Sequence, residues 1–164
     1  MVKPMHSLLE GRPALILLDH PAQRQELSSL SDCAQASDIP VIWAFADSRH
    51  GAMGTADDAP VRIRPRRLSI FFGTELTILL RELAVRTLIL AGGETSVRVH
   101  YSFVDAHQND YHTRVVEDCM SGSSPRAHEA ALCAMEYMQS GARQRRAAIS
   151  AAFSAYRHTA AARS

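Results

Sequence analysis

Ala14-Leu15-Ile16-Leu17-Leu18-Asp19 is five apolar residues in a row closed by a carboxylate. A run without polar alternation suits a strand covered on both faces, the kind found in parallel sheets. Similar runs recur at Val41-Ile42-Trp43-Ala44-Phe45, at Thr87-Leu88-Ile89-Leu90-Ala91 and at Thr113-Arg114-Val115-Val116. Helical stretches separate them. Residues 22–37 place Leu27, Leu30 and Ala34 on one face, and residues 75–83 carry Leu76, Leu79, Leu80 and Leu83 behind Thr74 as N-cap. Residues 96–109 and 127–138 follow, the second just after Pro125, which a helix start tolerates. Strand and helix alternating at this spacing predict an α/β fold, a doubly wound, mostly parallel sheet with right-handed crossovers and helices on both faces.

Sheets of this kind bind ligands beyond the carboxyl ends of their strands. That rule lines up Asp19, the Phe45-Ala46-Asp47 stretch and the Gly92-Gly93-Glu94-Thr95 turn along one edge. Residues 47–58, with Gly51, Gly54 and no periodicity, read as a loop over that edge. The tail beyond Gly141 is alanine-rich with Ile149, Phe153 and Tyr156 at helical spacing. Residues 1–141 are therefore expected as one α/β domain and residues 142–164 as a helical tail, whose apolar stripe either meets a partner subunit or frays.

The 164 residues, 46% of them hydrophobic, suffice for one domain burying about two-thirds of its unfolded surface. A net charge of +1 gives no global field to attract nucleic acid or an anionic membrane. The basic runs at residues 62–67 and 143–146 are local exceptions. Three cysteines, Cys33, Cys119 and Cys133, form no CxxC pair and suit a reducing compartment. The first residues lack the apolar core of a signal peptide, and no apolar run approaches the roughly 20 residues that span a bilayer. A cytoplasmic protein without nucleic-acid or membrane partners is the expectation.

Longer motifs narrow this further. Arg67-Leu68-Ser69-Ile70-Phe71-Phe72-Gly73-Thr74-Glu75-Leu76 and Leu90-Ala91-Gly92-Gly93-Glu94-Thr95-Ser96-Val97-Arg98-Val99 resemble two segments of the isochorismatase-like, or cysteine hydrolase, superfamily. Asp105-Ala106, Asp118-Cys119 and His128-Glu129-Ala130-Ala131-Leu132 fit its later patterns, and Asp19 matches its catalytic aspartate. The resemblance covers residues 14–138 and implies a Rossmann-like three-layer fold. It also implies a triad of cysteine, aspartate and lysine, in which a thiolate attacks a carbonyl. At the position that the resemblance gives to the cysteine stands Arg98, whose guanidinium stays protonated and cannot act as a nucleophile. The lysine is missing too. Its place falls on Pro65, between Arg64 and Arg66, and the chain's single lysine is Lys3.

Two readings remain open. In one, the chain is a hydrolase resembling isochorismatase, acting without a cysteine on a small carboxylate-bearing molecule. Asp19 is then the general acid, Arg98 with Arg64 or Arg66 holds carboxylates through bidentate guanidinium contacts, and Phe45, Phe71, Glu94 and Thr95 line the substrate. In the other, the domain is a catalytically inactive member that binds a small acid or a partner protein, with Arg98 paired to Asp19. Both expect a homo-oligomer, no cofactor and no metal. Asp47 and His50 alone are a weak metal pattern, the other histidines read as surface or packing residues, and Cys119 and Cys133 read as small hydrophobes, with a relocated thiol at Cys119 left open.

Overall fold

A computed structural model describes residues 8–46 and 61–161. Among them, six strands form one sheet in the order β3-β2-β1-β4-β5-β6, with every pairing parallel. The strands are β1 Arg12–Leu18, β2 Val41–Ala44, β3 Val61–Ile63, β4 Val85–Gly93, β5 His112–Ser121 and β6 Arg143–Gln144. The helices are α1 Arg24–Gln35, α2 Leu76–Glu82, α3 His100–Gln108, α4 Pro125–Met138 and α5 Arg146–Ala161.

The unbroken apolar run of β1 has a simple cause. Ala14, Ile16 and Leu18 point into one core with Leu76 and Leu80 of α2, Phe103 of α3, and Leu132 and Met135 of α4. Leu15 and Leu17 point into another with Leu27 and Leu30 of α1 and Ile149 and Phe153 of α5. Alternate side chains along a strand face opposite sides, so a sheet with helices on both needs apolar residues at every position.

Two strands depart from the sequence expectation. β3 overlaps the start of the basic run and β6 lies inside the tail. With three and two residues at the sheet's two edges, they are too short to show a hydrophobic period. The helix expected over 96–109 also divides, into a π turn at Thr95–Val99 and then α3, with the Val99 N–H donating to the Glu94 carbonyl at 3.0 Å.

The tail is a working part of the sheet. β6 pairs with β5 through Val115↔Arg143 and Val116↔Gln144, and Ala142, Ile149 and Phe153 are fully buried. The apolar stripe expected to meet a partner or to fray instead covers the chain's own sheet beside α1, where Val116 and Cys119 of β5 complete the same core. Ile149→Val should therefore lower stability by about 1 kcal/mol in a urea melt, as for other buried isoleucines. No change would mean that the stripe does not pack there.

Candidate functional site

The chain winds outward from β1 to β2 and β3 on one side and from β4 to β5 and β6 on the other, so a crevice opens between β1 and β4 at their carboxyl ends. Register sets its rim. Leu18 pairs with both Ala44 and Gly92, and Ala44 pairs with Ile63. Asp19, Phe45 and Arg64 thus sit one residue beyond the ends of three neighbouring strands, level with Gly93, the last residue of β4. The Asp19 N–H donates to the Ala44 carbonyl at 2.9 Å, and the Phe45 N–H to the Ile63 carbonyl at 3.1 Å.

Gly92 (φ +111), the penultimate residue of β4, lies against the Leu18 backbone, and Gly93 lies under the His20 ring. The Gly93-Glu94 peptide is cis. The π turn that follows aims Arg98 back across the strand ends. Its Nη1 donates to the Asp19 carbonyl and its Nη2 to the Ala44 carbonyl, each at 3.4 Å. Burial lowers the guanidinium pKa from its ordinary value, and the Asp19 carboxylate offsets part of that. A cation in the first turn of a helix works against the macrodipole. The compensation here comes from the carbonyl dipoles of β1 and β2, together with Asp19 at longer range.

This corrects the expected pairing of Arg98 with the Asp19 carboxylate. Among the described residues the Asp19 ion pair is with Arg24, Nε to Oδ1 at 3.4 Å, with the Asp19 side chain 18% exposed and that of Arg24 48%. Arg24 opens α1 directly after the 3-10 turn Pro21–Gln23 that leaves β1. It was missed in the sequence because nothing distinguishes it from other surface arginines.

The remaining candidates divide. Glu94 is half-buried beside the crevice and accepts from the Ser96 hydroxyl at 3.5 Å. Arg64 is exposed on the rim. Phe45 turns to the α1 face, stacked on Trp43 with the Arg62 guanidinium over its ring. Arg66 is exposed, with its stem lying over Gly73 and its N–H bonded to the Phe72 carbonyl. Thr95 is fully buried, its hydroxyl 2.8 Å from His128 Nδ1, so it ties the turn to α4. Phe71 stacks on Tyr111, just before the amino end of β5, and is not brought to the Asp19 and Arg98 cluster. Asp47 and His50 lie outside the described residues.

All three cysteines are placed, and none lies on this rim. Cys33 is half-buried on α1 and Cys133 exposed on α4. Cys119 is buried on the α1 side of β5, and burial with the Asp118 carboxylate pushes its thiol up to about 11. A buried thiol so raised and placed away from the rim lacks the exposure and thiolate character of a nucleophile, so the geometry gives a relocated nucleophile at Cys119 no support. Iodoacetamide on the native protein at about pH 8 should label Cys133 first and leave Cys119 untouched until denaturant is added, as read by peptide mass spectrometry. Native labelling of Cys119 would contradict this placement.

The isochorismatase domain profile matches residues 24–148. The chain belongs to the isochorismatase family. An uncharacterized isochorismatase family protein of Bacillus subtilis, YwoC, is 30% identical over 97 residues, 59% of this chain and 49% of that one. Maleamate amidohydrolase of Pseudomonas putida is 42% identical over 64 residues, 39% of this chain and 30% of that enzyme. This isochorismatase-family chain thus spans half or less of the length of the curated relatives it matches. Among solved structures, an isochorismatase family protein of Burkholderia thailandensis superposes with a TM-score of 0.74 at 21% identity, covering 89% of this chain and 97% of that one. The nicotinamidase of Staphylococcus aureus gives 0.68 at 19%, covering 82% and 100%. No described helix is long and apolar enough to cross a membrane.

Proposed function

We propose that this family member is a hydrolase acting on a small carboxylate-bearing molecule without a thiolate, with Arg98 standing where the family's nucleophile would be. The observation that carries the reading is the Arg98 guanidinium held over the carboxyl ends of β1 and β2 beside Asp19. Two of its N–H groups meet carbonyls, leaving others to grip a carboxylate, and Arg64 adds charge on the same rim. Asp19 is the general acid. The resemblance to isochorismatase implies a vinyl-ether substrate. Asp19 protonates the enol carbon, water adds to the resulting oxocarbenium ion and returns a proton to Asp19, and the hemiketal collapses to a ketone and an alcohol. No cofactor enters this scheme, and neither nucleic acid nor membrane is a partner.

A second reading rests on the Asp19 and Arg24 ion pair, which occupies the acid. In that case the crevice binds a small acid and does not turn it over. Iodoacetamide-treated protein separates the readings. Full turnover after alkylation, with a loss of at least about 100-fold in Asp19→Asn and unchanged dicarboxylate binding, supports the hydrolase. Binding without turnover in the wild type leaves the second reading. Self-association is part of the proposal. With Ile149 and Phe153 consumed by the sheet, the exposed Leu68, Phe72, Ile78 and Tyr101 around α2 and α3 are its apolar contacts, and light scattering at the mass of one chain would reject it.

A further inference from the structure

Glu10 precedes β1 and His112 begins β5, so the cleft they line lies at the amino end of the sheet, about 20 Å from the Asp19 rim along β1. It holds about 650 Å³, within the usual range for small-ligand sites. Arg114 lines it and is only 5% exposed. Its one described hydrogen bond runs from Nη1 to the Thr113 carbonyl at 3.1 Å, and its buried Nε has no partner among the described residues. The carboxylates nearest to it in charge are committed elsewhere. Both Glu136 oxygens take backbone N–H groups, of Gly141 at 2.7 Å and Arg143 at 2.9 Å, and Glu10 Oε2 meets His112 Nε2 at 2.8 Å. A buried cation without a dedicated anion is costly, and an incoming carboxylate would supply one.

The cleft also contains the opposite charge. Glu10 and the exposed Asp110 stand on its wall, so a dianion would be repelled while a ligand carrying both signs would be matched. The wall between them is already fixed. The Gln139 amide accepts from the Thr113 N–H at 3.0 Å and bridges to the Tyr111 carbonyl and His107 Nδ1, both at 2.9 Å. We infer that this cleft is a second ligand site, for a free α-amino acid whose carboxylate pairs with Arg114 and whose ammonium group faces the exposed Asp110, with Glu10, held by His112, adding negative charge beside it.

Thermal melts of the whole protein with each common L-amino acid at about 10 mM, and with acetate and methylammonium as the two half-ligands, test the inference. At least one amino acid should raise Tm by about 3 °C or more, and neither half-ligand should match it. The shift should vanish in Arg114→Met, and also in Asp110→Asn and Ser140→Trp. The last two alter exposed residues at the cleft and keep the test valid if the buried arginine proves necessary for folding. It should persist in Arg98→Met. No shift with any amino acid, an equal shift with acetate, survival of the shift in Ser140→Trp, or its loss in Arg98→Met alone would each overturn the inference.

Discussion

Gly92→Ala is expected to destabilise the protein by more than about 3 kcal/mol, a cost that single substitutions reach only through a specific defect. Gly92 has φ +111, a region that L side chains rarely adopt and that costs of order 1–3 kcal/mol to impose. Strain is the smaller part. A Cβ there would overlap the carbonyl group of Leu18, a main-chain atom of the adjoining strand that has no rotamer to move into. Relief requires β1 and β4 to part at the sheet's centre, where the six residues Pro13 to Leu18 of β1 are in unbroken register with β4. At roughly 2–4 °C per kcal/mol for a chain of this size, the melt should fall by about 10 °C. Gly141→Ala is the control. It shares a positive φ, +82, but a Cβ there meets nothing, so it should cost only about 1–2 kcal/mol. Equal costs for the two would show that the Gly92 and Leu18 contact is not the reason for the glycine.

Gly92 also explains why the crevice could be located from sequence. An apolar run that ends on Gly92-Gly93 must stop and turn, and Asp19 closes another such run, so both fall on one edge. β1, β2, β4 and β5 were legible for the same reason, since burial on both faces leaves an uninterrupted pattern. Even Arg114 did not disguise β5, although nothing in the run foretold that its guanidinium would be buried. Val61-Arg62-Ile63 and Arg143-Gln144 were hidden because an edge strand of two or three residues needs only backbone pairing from its neighbour. The stripe of Ile149 and Phe153 was visible, but a stripe does not name what it packs on. The same limit applies at the site. Asp19 and Arg98 were found by position, whereas the partners of Arg98 are main-chain carbonyls, which leave no mark in a sequence. Phe71 and Thr95 were placed by motif, and only packing against Tyr111 and His128 removed them from the crevice.

Those carbonyls determine what Arg98→Met should do. A methionine keeps most of the buried stem and removes the donors, so the Asp19 carbonyl loses the Nη1 bond, while the Ala44 carbonyl still accepts from the Asp19 N–H. One weakened acceptor and the removal of a partly buried cation act in opposite directions, and the net loss should be about 1–2 kcal/mol. Asp19→Asn leaves its own carbonyl in place, so the contact with Arg98 survives that substitution. The double mutant should therefore show a coupling below about 1 kcal/mol, with only the through-space attraction lost. A direct pair between guanidinium and carboxylate would instead make each single mutant cost about 3–5 kcal/mol, with the double mutant regaining most of it. Ligand response supplies the second axis. Small dicarboxylates should stabilise the wild type and Asp19→Asn, and Arg98→Met should lose about 1.5–3 kcal/mol of that binding, a weakening of tenfold or more. Melts of the four proteins with and without ligand decide both points. Coupling of 3 kcal/mol or more would mean that Arg98 and the Asp19 carboxylate fill the crevice together, and dicarboxylate stabilisation surviving in Arg98→Met would remove Arg98 from the binding site.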